Sequence, residues 1–215
     1  MTPALPEHAA MVAAILGAYD RATPTDLAAG RAWYPSARAA ADVISAAGRV
    51  STERAALALA ALSPRNPWRW NVADAYACAV AVRAGTAAPT CTTFRSNVDR
   101  AMVALATGAA PWATVAPKVR AFVAAILGDA TAVVVDVWAM RCATSGERDT
   151  VRPAEYAAVA AAYRDAAWRT GEDARDLQAI TWLVVQREGI GSARRGRHDA
   201  TIKRGTAPAV AALFV

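Results

Sequence analysis

Alanine occupies 59 of the 215 positions, more than one in four, and no other feature narrows the fold as far. It is the best helix former, while the β-branched and aromatic residues that strands prefer are sparse. An all-α protein is expected. With 55% hydrophobic residues the chain is long enough to bury a core as one domain spanning 1–215, and intrinsic disorder is not expected. No uninterrupted run reaches the roughly 18 apolar residues of a membrane span, and Glu7 and His8 stand where a signal peptide is apolar. A soluble, cytoplasmic protein without a membrane partner follows as the expectation. Cys78, Cys91 and Cys142 are widely spaced and odd in number, so they suggest neither a disulfide framework nor a four-thiolate metal site. With His8 and His198 the only histidines, no metal and no cofactor are expected.

Apolar residues recur at helical spacing in Met11, Val12, Ile15, Leu16 and Tyr19, and again in Phe94, Val98, Met102 and Leu105. The same pattern predicts helices over about 36–47, 52–62, 70–83, 118–127, 135–143, 153–168, 172–187 and 207–214, about ten in all. Ser51 ahead of Glu53, Pro117 and Pro153 in first turns, and Thr170 with Asp173 in a capping box punctuate these helices. Val133 to Val135 has strand composition but reads more simply as a buried lead-in to a helix. Gly85 to Thr93 is the best internal hinge, or else a long loop. No repeat appears at periods of 20–50 residues.

The formal net charge is +6, which favours an anionic partner, nucleic acid first. Arg187, Arg194, Arg195, Arg197, Lys203 and Arg204 stand against Glu188 and Asp199 in a glycine-rich stretch able to follow a phosphate backbone, or simply to lie in solvent. The chain uses only two lysines, Lys118 and Lys203, against 22 arginines. A lysine retained at 118 invites amine chemistry, because lysine can lose its proton and form a Schiff base where guanidinium cannot. The plain alternative is a helix-start lysine in solvent. Eighteen residues on, Asp136 interrupts the apolar run Ala132 to Met140. A carboxylate there is either a helix N-cap, a catalytic group, or both.

The stretch Pro117-Lys-Val-Arg-Ala-Phe-Val-Ala-Ala-Ile-Leu-Gly-Asp-Ala-Thr-Ala-Val-Val-Val-Asp-Val-Trp138 resembles the helix-hairpin-helix DNA glycosylase superfamily. Its members carry a hairpin, a lysine opening a helix, and V-D-T-H with the catalytic aspartate. The lysine-to-aspartate interval equals that of the endonuclease III branch. Leu59-Ala-Ala-Leu-Ser-Pro-Arg-Asn-Pro-Trp-Arg-Trp-Asn71 resembles the family's L-L-S-x-Q segment, and Phe94-Arg-Ser-Asn-Val-Asp-Arg-Ala101 its Y-N-S-K-A segment. Together these cover roughly residues 55–143. The chain departs in three places: Ala113-Thr-Val-Ala-Pro117 has no glycine where the family has L-P-G-V-G, Trp138 replaces the histidine, and the iron-sulfur cysteines are absent.

The resemblance implies two helical lobes with a cleft between them, and an enzyme that flips a nucleotide from the stack. On that reading Asp136 stabilises positive charge on the sugar, Lys118 attacks the anomeric carbon, and Arg65 fills the vacated place in the duplex. Asn71 follows the wedge loop as a DNA contact. Trp68, Trp70 and Trp138 are candidates to stack on the base, although core packing is the commoner role of a tryptophan, and Tyr34 is a pocket hydroxyl by composition. Arg194, Arg195 and Arg197 supply phosphate contacts. The expected function is base excision from DNA, duplex or single-stranded, with or without Schiff-base strand cleavage. Two alternatives stand beside it: a phage-type transferase that modifies pyrimidine bases on the same scaffold, suited by the Ala- and Arg-rich composition to a phage of a GC-rich host, and a non-catalytic DNA-binding module.

Overall fold

A computed structural model describes residues 3–190, and within them the chain forms ten α-helices and no strand. In chain order these are α1 (His8–Asp20), α2 (Pro24–Gly48), α3 (Thr52–Leu62), α4 (Trp68–Ala84), α5 (Arg95–Thr107), α6 (Pro111–Val115), α7 (Pro117–Leu127), α8 (Val137–Ala143), α9 (Pro153–Thr170) and α10 (Ala174–Arg187). The helix expected over 207–214 and the basic stretch beyond residue 190, with Arg194, Arg195 and Arg197, lie outside the described residues.

The chain divides into two compact units. One runs to Pro35 and resumes at Gly128; the other takes Ser36 to Leu127. The first division falls inside α2. This helix starts nearer the N-terminus than the expected 36–47, because Thr23 and Asp26 cap it reciprocally: Thr23 Oγ1 accepts from the Asp26 amide at 3.1 Å and Asp26 Oδ2 accepts from the Thr23 amide at 2.9 Å. α2 runs through Pro35, a residue type that ordinarily kinks or ends a helix. Pro35 is exposed, so the carbonyl deprived of its donor can turn to water.

In the first unit, α1 packs on α8, α9 and α10. Met11, Val12 and Ile15 meet Met140, Val159, Tyr163 and Leu177 in its core. Alanines and one glycine set how closely the helices approach. A Cβ added at Gly30 of α2 would stand 2.7 Å from the Ile180 backbone nitrogen and Cα of α10, closer than real Cβ contacts allow. The first unit also buries a charge. Arg148, 1% exposed, donates to Glu155 Oε2 at 2.7 Å, while its Nε and Nη1 have no partner among the described residues. Glu155 also accepts from the Arg152 amide at 3.4 Å, capping α9. The cap expected from Thr170 and Asp173 does not form: Thr170 closes α9, its hydroxyl donating back to Ala166 and Ala167 carbonyls, and Asp173 N-caps α10 without a side-chain bond.

The second unit is organised around α3, which is buried from Ala55 to Leu62 and packs on α4, α5 and α7. Its start follows expectation, with Ser51 Oγ accepting from the Arg54 amide at 3.3 Å. A helix apolar on all sides has to be covered on all sides, and its many alanines let the neighbours come close. Leu57 of α3 packs with Ala104, Ala113, Trp112, Val119 and Val123, joining α5, α6 and α7 to it. The short α6, with Pro111 in its first turn, was not foreseen from the pattern. The loop over 85–94 stays within this unit rather than marking the division.

Gly30→Ala is expected to destabilise the fold by about 2–3 kcal/mol, since the obstacle is backbone and not a flexible side chain. A Tm within 1 °C of the parent, against the roughly 2–4 °C per kcal/mol of a chain this size, would contradict the close crossing. Arg148 holds the Glu155 carboxyl below its ordinary value, with burial opposing it in part. Stability from this pair is therefore present above the ordinary glutamate value near ~4.3 and is lost as pH falls through the lower folded value. Glu155→Gln is expected to cost about 3 kcal/mol at pH 7, because it leaves a buried guanidinium without its counter-charge. Urea melts should show the gap between parent and variant shrinking toward pH 3, and a constant gap would refute the assignment.

Candidate functional site

Between Ala132 and Thr144 only Asp136, Val137 and Trp138 reach solvent. The preceding residues, Ala132 to Val135, are buried and irregular, so their backbone groups need partners from elsewhere. Tyr156 supplies two: its hydroxyl donates to the Val133 carbonyl at 2.7 Å and accepts from the Val135 amide at 3.2 Å. Arg164 Nε donates to the Thr131 carbonyl at 3.0 Å, and the Arg175 amide to the Ala130 carbonyl at 3.1 Å. The segment is thus a buried lead-in to α8, as the apolar run suggested, and no strand.

Asp136 is the N-cap of α8. Its Oδ1 accepts from the Trp138 and Ala139 amides, both at 2.9 Å, which fixes the carboxylate at the positive end of the helix. The guanidinium of Arg141, a buried residue one turn on, lies 4.7 Å from the centre of the Trp138 ring.

Tyr34 belongs to the same unit and is buried, its hydroxyl donating to Gln178 Oε1 at 2.9 Å. Burial raises the Tyr34 hydroxyl well above its ordinary value; the charges of Asp136 and Asp176 add to this and that of Arg175 opposes it. Tyr34 is a neutral hydroxyl at all physiological pH. Arg175, its side chain 13% exposed, donates from Nε to Asp176 at 3.0 Å, and its guanidinium lies 5.7 Å from the Tyr34 ring centre. Tyr34, Asp136 and Arg175 therefore form one electrostatic neighbourhood. The sequence reading did not single out Tyr156, Arg175 or Gln178. A signal existed for Gln178, a polar residue sharing the buried stripe of α10 with Leu177, Thr181 and Val184.

The other candidates among the described residues lie in the second unit. Lys118 is exposed, the second residue of α7. The residues before it are not an open hairpin: α6 runs to Val115 and the single residue Ala116 links it to α7, its carbonyl accepting from the Val119 and Arg120 amides. Arg65 is exposed at the turn between α3 and α4 and holds a left-handed φ of 57°. A non-glycine residue there carries strain, and the surrounding structure has to hold it. Asp74 does so. Buried at 6% exposure, it accepts from Asn66 Nδ2 at 3.0 Å, from the Thr92 amide at 3.1 Å and from the Thr92 hydroxyl at 2.8 Å, tying the Arg65 turn to the α4–α5 loop.

Trp68 is partly buried at the start of α4, whereas Trp70 is buried, with Arg69 at 5.7 Å from its ring centre. Asn71 is 1% exposed and its amide donates to the Leu59 carbonyl at 3.1 Å. That geometry fastens α4 to α3 and leaves Asn71 and Trp70 little surface for a ligand. Among the described residues no group of three or more His, Cys, Asp and Glu side chains is placed to hold a metal, and no helix is long and apolar enough to cross a membrane.

The chain belongs to a family of unknown function, DUF7178, which matches it over residues 4–189. No curated protein and no solved structure matches it.

Replacing the cap with Asp136→Ala is expected to cost about 1 kcal/mol, a fall in Tm of roughly 2–4 °C. Asp136→Asn, which keeps an oxygen acceptor, should lose less than half of that. Equal losses in the two variants would show that the cap does not set the stability of α8.

Proposed function

We propose that the protein is a DNA base-excision N-glycosylase in which Asp136 is the catalytic carboxylate. The observation that supports this best is that Asp136 and Trp138, two residues apart, are only part-buried in a segment that is buried on both flanks. A carboxylate held by two amides is rigid, and a rigid negative charge lowers the energy of the cationic sugar that forms as a glycosidic bond breaks. Trp138, with one neighbour already a guanidinium, offers an aromatic ring for an extruded base. Tyr34, buried with its hydroxyl donated to Gln178, has as little surface for a base as Trp70. The resemblance of residues 55–143 to helix-hairpin-helix glycosylases supports the same chemistry.

Lys118 is the amine of this proposal. On the resemblance, its neutral amine attacks the anomeric carbon as the base leaves and takes up the amine's proton; breaking the C1′–O4′ bond then opens the sugar to an imine, from which elimination of the 3′ phosphate cleaves the strand. Arg65, exposed and held in a strained turn, is the residue to enter the duplex where the nucleotide leaves.

A second reading, transfer of a group onto a base, is favoured by one observation. Where the resembling family has an open glycine hairpin, this chain has α6 and Ala116, so the backbone there is engaged within helices rather than free to meet a DNA phosphate. The grip on DNA differs from that of the repair enzymes.

Oligonucleotides carrying a panel of altered bases, single-stranded and duplex, distinguish these readings when the products are analysed by mass spectrometry. Excision predicts free base and abasic sites, lost at least 100-fold in Asp136→Asn, with a borohydride-trapped adduct that disappears in Lys118→Ala. A base that gains mass from an added small donor supports transfer. DNA that remains unchanged throughout, or is processed equally by Asp136→Asn, refutes the enzymatic proposal.

A further inference from the structure

Cys78 and Cys91 are 13 residues apart in the chain, and sequence spacing alone gave no reason to pair them. The fold brings them together: Cys78 lies fully buried within α4, the α4–α5 loop turns back along that helix, and the two Sγ atoms stand 3.9 Å apart. Cys91 is only partly buried, and it sits where the chain has no helical hydrogen bonds to resist a small shift. A disulfide requires the sulfurs to close to about 2.05 Å. From 3.9 Å, side-chain rotation together with movement of the loop toward α4 has to close the remaining distance.

We propose that Cys78 and Cys91 form a reversible disulfide that fastens the α4–α5 loop to α4 when a low-molecular-weight disulfide oxidises them. The Cys91 thiolate attacks one sulfur of the oxidant, giving a mixed disulfide and releasing one thiol. Cys78 gives up its proton and displaces the second thiol from Cys91. Two cysteine thiols and one external disulfide thus become one internal disulfide and two free thiols, and two electrons pass to the oxidant. The residue after Cys91 is Thr92, whose amide and hydroxyl bond to Asp74, so the bond fixes a loop already joined to the turn of Arg65.

Two features set the conditions. The hydrogen-bonded Cys78 thiol, burial and the Asp74 carboxylate together raise the Cys91 thiol above its ordinary range, so exchange is slow at neutral pH. Burial pushes the Cys142 thiol, in the first unit, up to about 11, which leaves it a bystander.

The test is incubation of the full folded chain with glutathione disulfide at mildly alkaline pH, followed by non-reducing peptide mapping, thiol titration and amide hydrogen exchange. The expected result is a Cys78–Cys91 linked peptide, a fall from three free thiols to one, reversal by dithiothreitol, and exchange across 86–94 slowed severalfold in the oxidised form. Cys78→Ser should instead stop at a glutathione adduct on Cys91. Retention of all three thiols, a linkage through Cys142, or a linked peptide with unchanged exchange in the loop would each overturn the proposal.

Discussion

Close approach between helices is the constraint on which this structure rests. Alanine covers little apolar area, so a core rich in it gains stability only if backbones come near enough for many small contacts to add up. Gly30 against Ile180 in the first unit, and the fully buried α3 in the second, are the two places where that condition is most visible. Larger side chains such as Tyr163, Leu177, Leu59 and Leu105 then fill the spaces that alanine leaves. A single added carbon at the narrow crossing is felt as strongly as the loss of several elsewhere.

Much of the helical plan could be read from the chain because its local signals agree. Ser51 with the run to Leu62, Pro153 with the run that follows, and Gly85 at the close of α4 combine cap, period and stop in one place. The reading fell short where one strong local rule outweighed a tertiary fact. The helix expected over 36–47 in fact begins at Pro24 and runs through the exposed Pro35. The five-residue α6 is too short for any periodicity to show. Thr170 and Asp173 had the letters of a cap, but the chain spends Thr170 on the helix before.

The candidate site was legible only in part, for a related reason. Asp136 stood out since a carboxylate in an apolar run needs a partner, and its amide partners are local. The groups that surround Tyr34 come from elsewhere in the chain: Gln178 and Arg175 from α10, and Asp136 from the start of α8. No spacing rule relates such positions. Asn71 and Trp70 show the converse, since the residue types that recognise nucleic acid also serve to fasten and fill a core, and only burial separates the two uses.

Asp74 has a consequence for how the second unit responds to change. Its carboxylate is shared by Asn66 of one loop and Thr92 of another, so each loop's ordered state is favoured by the order of the other. Such sharing is thermodynamically reciprocal: the coupling free energy by which order at Thr92 favours the Arg65 turn equals that by which the turn favours order at Thr92. Two segments that sequence separates by a whole helix are therefore coupled through one buried carboxylate.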